Sequence, residues 1–292
     1  MPHRAERVLV VGGSGQLGSA LVDAYAGREV FAPSHRELDV EDGEGVRAYI
    51  AAHRPELVIN CAAFHDVAAC EQEPHRAFGV NAIAVDRLAA ACAGAGATFA
   101  TVSTDYVFDG ALRRPYREDD GPAPLNVYGV SKAAGEMLVP RHGGRWVVVR
   151  TSGVYGPAGV SAKGPILLER LRAQALRGET VRVVDDVTFS PSYAPHAARF
   201  VRDLLDAGAT GIHHAAGSGA CTWYEFARYA FERAGLGTVE PVASADSAVR
   251  RPAYSALAST RAAALGVNLP PPWQAGVDAY LAARAERAAA AS

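Results

Sequence analysis

Short, fully apolar runs alternate with amphipathic, alanine-rich stretches along the first half of the chain. RVLVV (7–11) leads directly into GGSGQLGSALVDAY, where a strand pattern gives way to a helical one. Further strands read at Glu29–Ala32, LVINCAA (57–63), TFATVST (98–104) and WVVVRTS (146–152), with helical patterns between them. Strands that are apolar throughout are buried on both faces, so the alternation predicts an α/β fold: a Rossmann-like, doubly wound parallel sheet covered by helices. Beyond Ser152 the chain becomes richer in Gly and Pro. A helix is expected over 165–176, VRVV (181–184) is expected to return to the sheet, a strand is expected at GIHHAA (211–216), and CTWYEFARYAFERAGL (221–236) reads as a helix beside the cleft. The chain therefore divides into a nucleotide-binding core, 1–152, and a smaller discontinuous lobe, 153–292, interleaved with returning core segments.

Gly12, Gly15 and Gly18 fall three apart where the first strand meets its helix. That spacing suits a dinucleotide: Gly12 takes the tight turn, Gly15 lets the backbone approach pyrophosphate, and Gly18 lets the helix pack closely. Gln16 and Leu17 open the helix whose amides face the phosphate. If the second strand stops near Pro33, then His35, Arg36, Asp39 and Val40 lie toward the adenosine end of such a cofactor. No acid stands directly at that strand end, whereas Arg36 can pair with a ribose 2′-phosphate. The reading is NADPH, with NADH as the alternative, because Arg36 also reads as a solvated surface residue and Asp39 also suits the adenosine end. Ala62, Ala63 and Phe64 follow LVIN, either lining the cofactor cleft or packing beside it.

Composition narrows the partners. With 29 Lys+Arg against 31 Asp+Glu the formal charge is −2, which gives no electrostatic reason to expect nucleic acid or an anionic membrane. Four scattered cysteines without a CxxC pair read as thiols in a reducing cytoplasm, and no secretory leader or uninterrupted membrane-length apolar run is visible. The nine histidines form no metal motif, and His213 and His214 point to opposite faces of a strand. No metal site is expected.

The chemistry concentrates in STDYVFDG (103–110) and LNVYGVSKAAGE (125–136). Tyr128 and Lys132 are four apart, so a helix places them on one face. An ammonium beside a phenol favours the phenolate and eases proton exchange. Thr104 sits at the carboxyl end of a parallel strand, where a doubly wound sheet presents its ligands. Ser103 and Ser131 lie inside these motifs and not in a hydrolase elbow.

Together these segments resemble the dTDP-4-dehydrorhamnose reductase family of the extended short-chain dehydrogenase/reductase superfamily. VLVVGGSGQLG, NCAAFHDVAACEQEP, VSTDYVFDG, PYRED, PLNVYGVSKAAGE, VRTSGVYG and RRPAYSAL follow in the family order over nearly the whole chain. The resemblance implies Thr104, Tyr128 and Lys132 as the catalytic set, with Tyr128 supplying a proton to the sugar C4 oxygen and Lys132 also holding the nicotinamide ribose. It implies NADPH-dependent reduction of a nucleotide-linked 4-keto-6-deoxyhexose, foremost dTDP-4-dehydro-L-rhamnose, and a homodimer. Some relatives hold magnesium at the dimer contact, for which no matching acidic set is evident.

Asp105 looks like a substrate contact, although it is equally placed to cap its loop; Glu118 and Asp119 are expected at the entrance or surface. Trp223 either touches substrate or anchors its helix, with packing the favoured reading. Arg251, with Arg250, either balances a diphosphate or forms a solvated basic pair. Gly153 stands where the family commonly has Trp, so an opened space beside the sugar is expected, and GVSAKGP (159–165) lacks the family's Asn-Phe pair. Two other functions stay open on these residues: an NAD-dependent nucleotide-sugar epimerase, and a cofactor-binding regulatory subunit of another enzyme.

Overall fold

A computed structural model describes residues 4–157, 166–244 and 249–290; the GVSAKGP segment therefore lies outside the described residues. The elements of the first half run β1 (Arg7–Val11), α1 (Gln16–Ala24), β2 (Glu29–Phe31), α2 (Gly43–His53), β3 (Leu57–Asn60) and α3 (Val67–Gln72). A continuous helical run follows, comprising α4 (Pro74–Phe78), a π-helical turn (Gly79–Ile83) and α5 (Ala84–Ala95). Then come β4 (Thr98–Thr104), α6 (Val127–Leu138) and β5 (Trp146–Thr151). In the second half are β6 (Val154–Tyr155), α7 (Leu167–Leu176), β7 (Val181–Val184), β8 (Thr188–Phe189), β9 (Ser192–Tyr193) and α8 (Ala194–Asp206). These are followed by β10 (Gly211–His214), β11 (Cys221–Thr222), α9 (Trp223–Ala234), β12 (Val239–Val242) and α10 (Trp273–Ala290).

Six parallel strands form the central sheet in the order β10-β5-β4-β3-β1-β2. Side chains alternate across it: Val8 and Val10 of β1 join α1 and α8 on one face, while Leu9 and Val11 join α2 and α5 on the other. Both faces are buried, which is why these strands read as unbroken apolar runs. From the second half, α8 packs on α1 and β10 extends the sheet beside β5. A separate apolar cluster, including Leu168, Phe189, Phe226, Trp273 and Tyr280, packs α7, β8, α9 and α10 of the second half against one another.

VRVV does not return to the central sheet. As β7 it pairs in parallel with β12 in a two-stranded sheet of its own. Val181 and Val183 are buried while Arg182 is exposed and paired with Glu240. Such alternation fits a sheet with one wet face, here packed against α9, and not a strand covered on both sides. The run Pro74–Ala95 is long and apolar enough by composition to cross a bilayer. It carries Arg76, Asp86 and Arg87, however, and buries Ala84, Val85, Leu88, Ala89 and Cys92 against the sheet, as a core helix does.

One buried ion pair fastens α6 to the sheet. Arg150 of β5 is 1% exposed and donates from Nε and Nη2 to both carboxylate oxygens of Glu136, at 3.0 and 2.7 Å. Removing one partner strands a buried charge. Arg150→Met is therefore expected to cost about 3–5 kcal/mol in urea unfolding, and the double variant Arg150→Met/Glu136→Leu to recover most of it.

Candidate active site

The glycine loop has the shape its spacing predicts. Gly12 takes a φ of +74°, and a Cβ there would stand 2.8 Å from the Ala62 nitrogen; one on Gly18 would stand 2.1 Å from the Gly12 carbonyl oxygen. Neither position has room for a side chain. Gly15 is the N-cap of α1, and its Cβ direction is comparatively open. Gly15, Gln16, Leu17 and Gly18 line a cavity of about 450 Å³ together with Cys61, Ala63 and His65. The start of α1 thus walls this cleft, and a helix N-terminus is a place that favours an anionic group such as pyrophosphate.

A second cavity of about 340 Å³ is lined by Thr104, Asp105, Tyr106, Tyr128, Lys132, Phe189 and Ser255, among others. Cys61, Ala63, His65, Val102, Thr151, Gly153 and Trp223 line both spaces, so the two form one cleft at the carboxyl ends of β3, β4 and β5. A wider groove of about 970 Å³ opens at the opposite, amino-terminal edge of the sheet and contains none of the predicted residues.

Helix α6 places the chemistry. Asn126 caps it by accepting from the Gly129 amide at 2.8 Å, and its own Nδ2 donates to the Arg250 carbonyl. Gly129 passes so close to Tyr106 that a Cβ would stand 2.2 Å from that carbonyl oxygen. Tyr128 and Lys132, one turn apart, then face the same cavity. Behind them the π-helical turn puts Asn81 fully inside: its Oδ1 accepts from the Phe64 amide, and its Nδ2 donates to the Phe64 carbonyl and to Ser131 Oγ. Asn81 thereby ties the loop after β3 to α6.

The electrostatics differ from the simple expectation of an ammonium lowering its neighbouring phenol. Desolvation raises the Tyr128 phenol well above the ordinary value, with the hydrogen-bonded Thr104 hydroxyl pulling the other way. Lys132 donates to the Val102 carbonyl at 2.6 Å. Burial pulls its ammonium down to about 8, against the opposing charge of Glu136. Tyr128 is therefore a phenol at neutral pH, able to give a proton. Cys61, also at the cleft, has its thiol pushed up to about 12 by burial and is no nucleophile there.

Asp105 meets protein hydroxyls on both oxygens. Oδ1 accepts from Thr104 Oγ1 at 3.1 Å, and Oδ2 accepts from Ser152 Oγ at 2.7 Å and Ser255 Oγ at 2.5 Å. Burial raises its carboxyl while the three hydroxyls, Ser255 first, pull it down. It joins the ends of β4 and β5 to the 255 segment and fixes Thr104, a use that neither sequence reading of Asp105 contained.

Most of the other predicted residues fall away from the two cavities, Trp223 being the exception. His35, Arg36 and Asp39 are exposed beyond β2, with Asp39 accepting from the Glu41 amide at 2.9 Å; Val40 is buried with Leu38 in the core. Ala62 backs Gly12, while Phe64 turns its ring under Arg76, 4.5 Å from the guanidinium carbon. Arg251 is exposed and hydrogen-bonded to the Tyr106 phenol. Trp223 lines both cavities and also packs, stacked on Phe189.

Two expectations are corrected. Glu118 is not at the surface: it is 3% exposed and accepts from the Thr260 amide and hydroxyl and from the His214 amide. These donors suit a buried carboxylate, and of the two acids it is Asp119 that is exposed. Nor does Gly153 leave open space, because the ring of Phe189 lies against it.

His65, Val102, Thr151, Ser152 and Ser255 escaped the sequence reading. The rule that ligands bind beyond the carboxyl ends of parallel strands points to His65 after β3 and to Thr151 and Ser152 at the end of β5. Ser255 comes from a distant segment; it lies inside RRPAYSAL, one of the motifs that carry the resemblance, which assigns it no role.

A glycine loop opening onto α1, with a strand-end threonine and a Tyr-x-x-x-Lys helix on the same cleft, defines a nucleotide-binding protein of the extended short-chain dehydrogenase/reductase class. The family model described as RmlD substrate binding domain matches residues 6–286, and the chain belongs to that family. It is 39% identical to the dTDP-4-dehydrorhamnose reductase of Mycobacterium tuberculosis (strain ATCC 25618 / H37Rv), over 98% of this chain and 95% of the relative. It is 38% identical to the dTDP-4-keto-6-deoxy-D-glucose reductase of Streptomyces niveus, over 82% and 83%. The crystal structure of dTDP-4-dehydrorhamnose reductase from Bacillus anthracis in complex with NADP superposes with a TM-score of 0.89 at 31% identity, covering 94% of this chain and 98% of that one.

Proposed function

We propose that this protein reduces the C4 ketone of a dTDP-linked 4-keto-6-deoxyhexose with NADPH, converting dTDP-4-dehydro-L-rhamnose to dTDP-L-rhamnose. The observation that carries this reading is the cleft itself: Thr104, Tyr128 and Lys132 line a cavity continuous with the one walled by Gly15–Gly18. The backbone crowding at Gly12 and Gly18 and the open approach at Gly15 suit a dinucleotide pyrophosphate. When bound, a reduced nicotinamide supplies hydride to C4.

The chain's own residues do the rest. The α1 amides hold the pyrophosphate, and Lys132, anchored on the Val102 carbonyl, orients the nicotinamide ribose. Tyr128 gives its proton to the C4 oxygen as charge develops there. Thr104 Oγ1, held by accepting from the Tyr106 amide, turns its one proton from Asp105 to the same oxygen and positions the ketone, while Ser152 and Ser255 keep Asp105 in place. Arg36, exposed beyond β2, is the residue we assign to the 2′-phosphate.

The test supplies freshly generated dTDP-4-dehydro-L-rhamnose with NADPH or NADH and identifies the sugar product. Stoichiometric NADPH loss with formation of dTDP-L-rhamnose is the expected result. A C4 epimer formed without net cofactor change would overturn it in favour of an epimerase. No turnover across a panel of 4-keto nucleotide sugars, from folded protein that binds NADPH, would overturn it in favour of a regulatory role.

A further inference from the structure

Gly153 follows the carboxyl end of β5 with a φ of +51°. A Cβ there would stand 2.3 Å from Cε2 and 2.5 Å from Cδ2 of Phe189. No side chain fits without moving that ring, and the backbone conformation adds a second penalty. Phe189, on β8, is 2% exposed. The Trp223 indole stacks on it with centroids 3.7 Å apart and planes 17° from parallel, and Phe226 meets it edge-on at 5.8 Å.

Trp223 itself is only partly buried and is the member of the stack that reaches both halves of the cleft. Its backbone is fixed from two sides. β8 pairs with β11 immediately before it, and a capping box between Thr222 and Glu225 starts α9 at this residue. A rigid indole therefore stands where the cavity walled by the glycine loop meets the one holding Tyr128. A flat aromatic face held this way suits the apolar face of a sugar ring.

We propose that Gly153, Phe189 and Trp223 form one specificity-determining wall of the keto-sugar pocket. Phe189 is a positioning residue that holds Trp223 toward the sugar, and position 153 is glycine because that ring takes its side-chain space. This inference rests on the reaction proposed above.

The test measures kcat, the KM for dTDP-4-dehydro-L-rhamnose, the NADPH Kd and Tm for the wild type and for Phe189→Ala, Phe189→Leu, Trp223→Ala and Trp223→Phe. Trp223→Ala and Phe189→Ala are expected to raise the sugar-nucleotide KM about tenfold, with the NADPH Kd within about twofold of wild type. Phe189→Leu refills volume without stacking, so Tm should recover while KM stays raised; Trp223→Phe keeps a ring on the stack and should recover most of the KM. Gly153→Ala should lower Tm more in the wild type than in Phe189→Ala, since the two side chains compete for one volume.

If the wild type turns over the substrate while Phe189→Leu and Trp223→Ala keep its KM, the wall does not select the sugar. A raised NADPH Kd with unchanged KM would assign the wall to the nicotinamide and overturn the proposal. Failure of the wild type to reduce any keto sugar overturns both this inference and the reaction beneath it.

Discussion

Tyr128→Phe is expected to lower kcat for ketone reduction by about a thousandfold while leaving NADPH affinity nearly unchanged. The phenol keeps a transferable proton at neutral pH: desolvation holds it protonated, and the adjacent Asp105 carboxylate opposes its ionisation further. Phenylalanine keeps the ring and its edge contact with Tyr106, whose centroid lies 6.0 Å away, so folding should be preserved. NADPH oxidation under saturating sugar nucleotide, beside a fluorescence titration of NADPH, separates the two effects. Turnover within a few-fold of wild type would remove Tyr128 from the reaction as its proton donor.

Lys132→Met should abolish most turnover and yet not weaken the fold at neutral pH. The wild-type ammonium is 4% exposed and titrates at about 8, below its ordinary value of 10.5. The folded state therefore disfavours the proton that the unfolded chain still carries. This penalty is fully present below about pH 8 and disappears as pH rises toward the unfolded value. Removing the charge gains up to about 3 kcal/mol at neutral pH, offset in part by leaving the Val102 carbonyl without its donor. Urea unfolding should show the variant at least as stable as wild type at neutral pH, with any advantage shrinking near pH 10.

The same titration predicts wild-type kcat/KM to fall as pH rises through about 8, because the neutral amine no longer stabilises charge beside Tyr128. A variant clearly less stable than wild type at neutral pH would show that the bond to Val102 outweighs the cost of the buried charge. A flat profile through pH 8 would show that the ammonium is not needed.

The amino-acid sequence by itself determined what depends on near neighbours. Gly12 and Gly18 are legible because one turn and one helix start leave no room for a side chain, and Tyr128 and Lys132 because four residues make one helical turn. The central sheet was legible because its inner strands, buried on both faces, carry apolar runs such as VLVV in β1, LVI in β3 and VVV in β5. Tertiary structure decided the rest. Asp105 is held by Ser152 and by Ser255, 150 positions away. Glu118 is buried by Thr260, 142 positions away, and VRVV took β12 as its partner instead of the central sheet. At Gly153 a glycine in place of an aromatic reads as empty space, yet Phe189 from another strand fills it. The physical reason is common to all four. Periodicity reports which way a side chain points along its own element, whereas the occupant of the space it points into comes from wherever the chain returns.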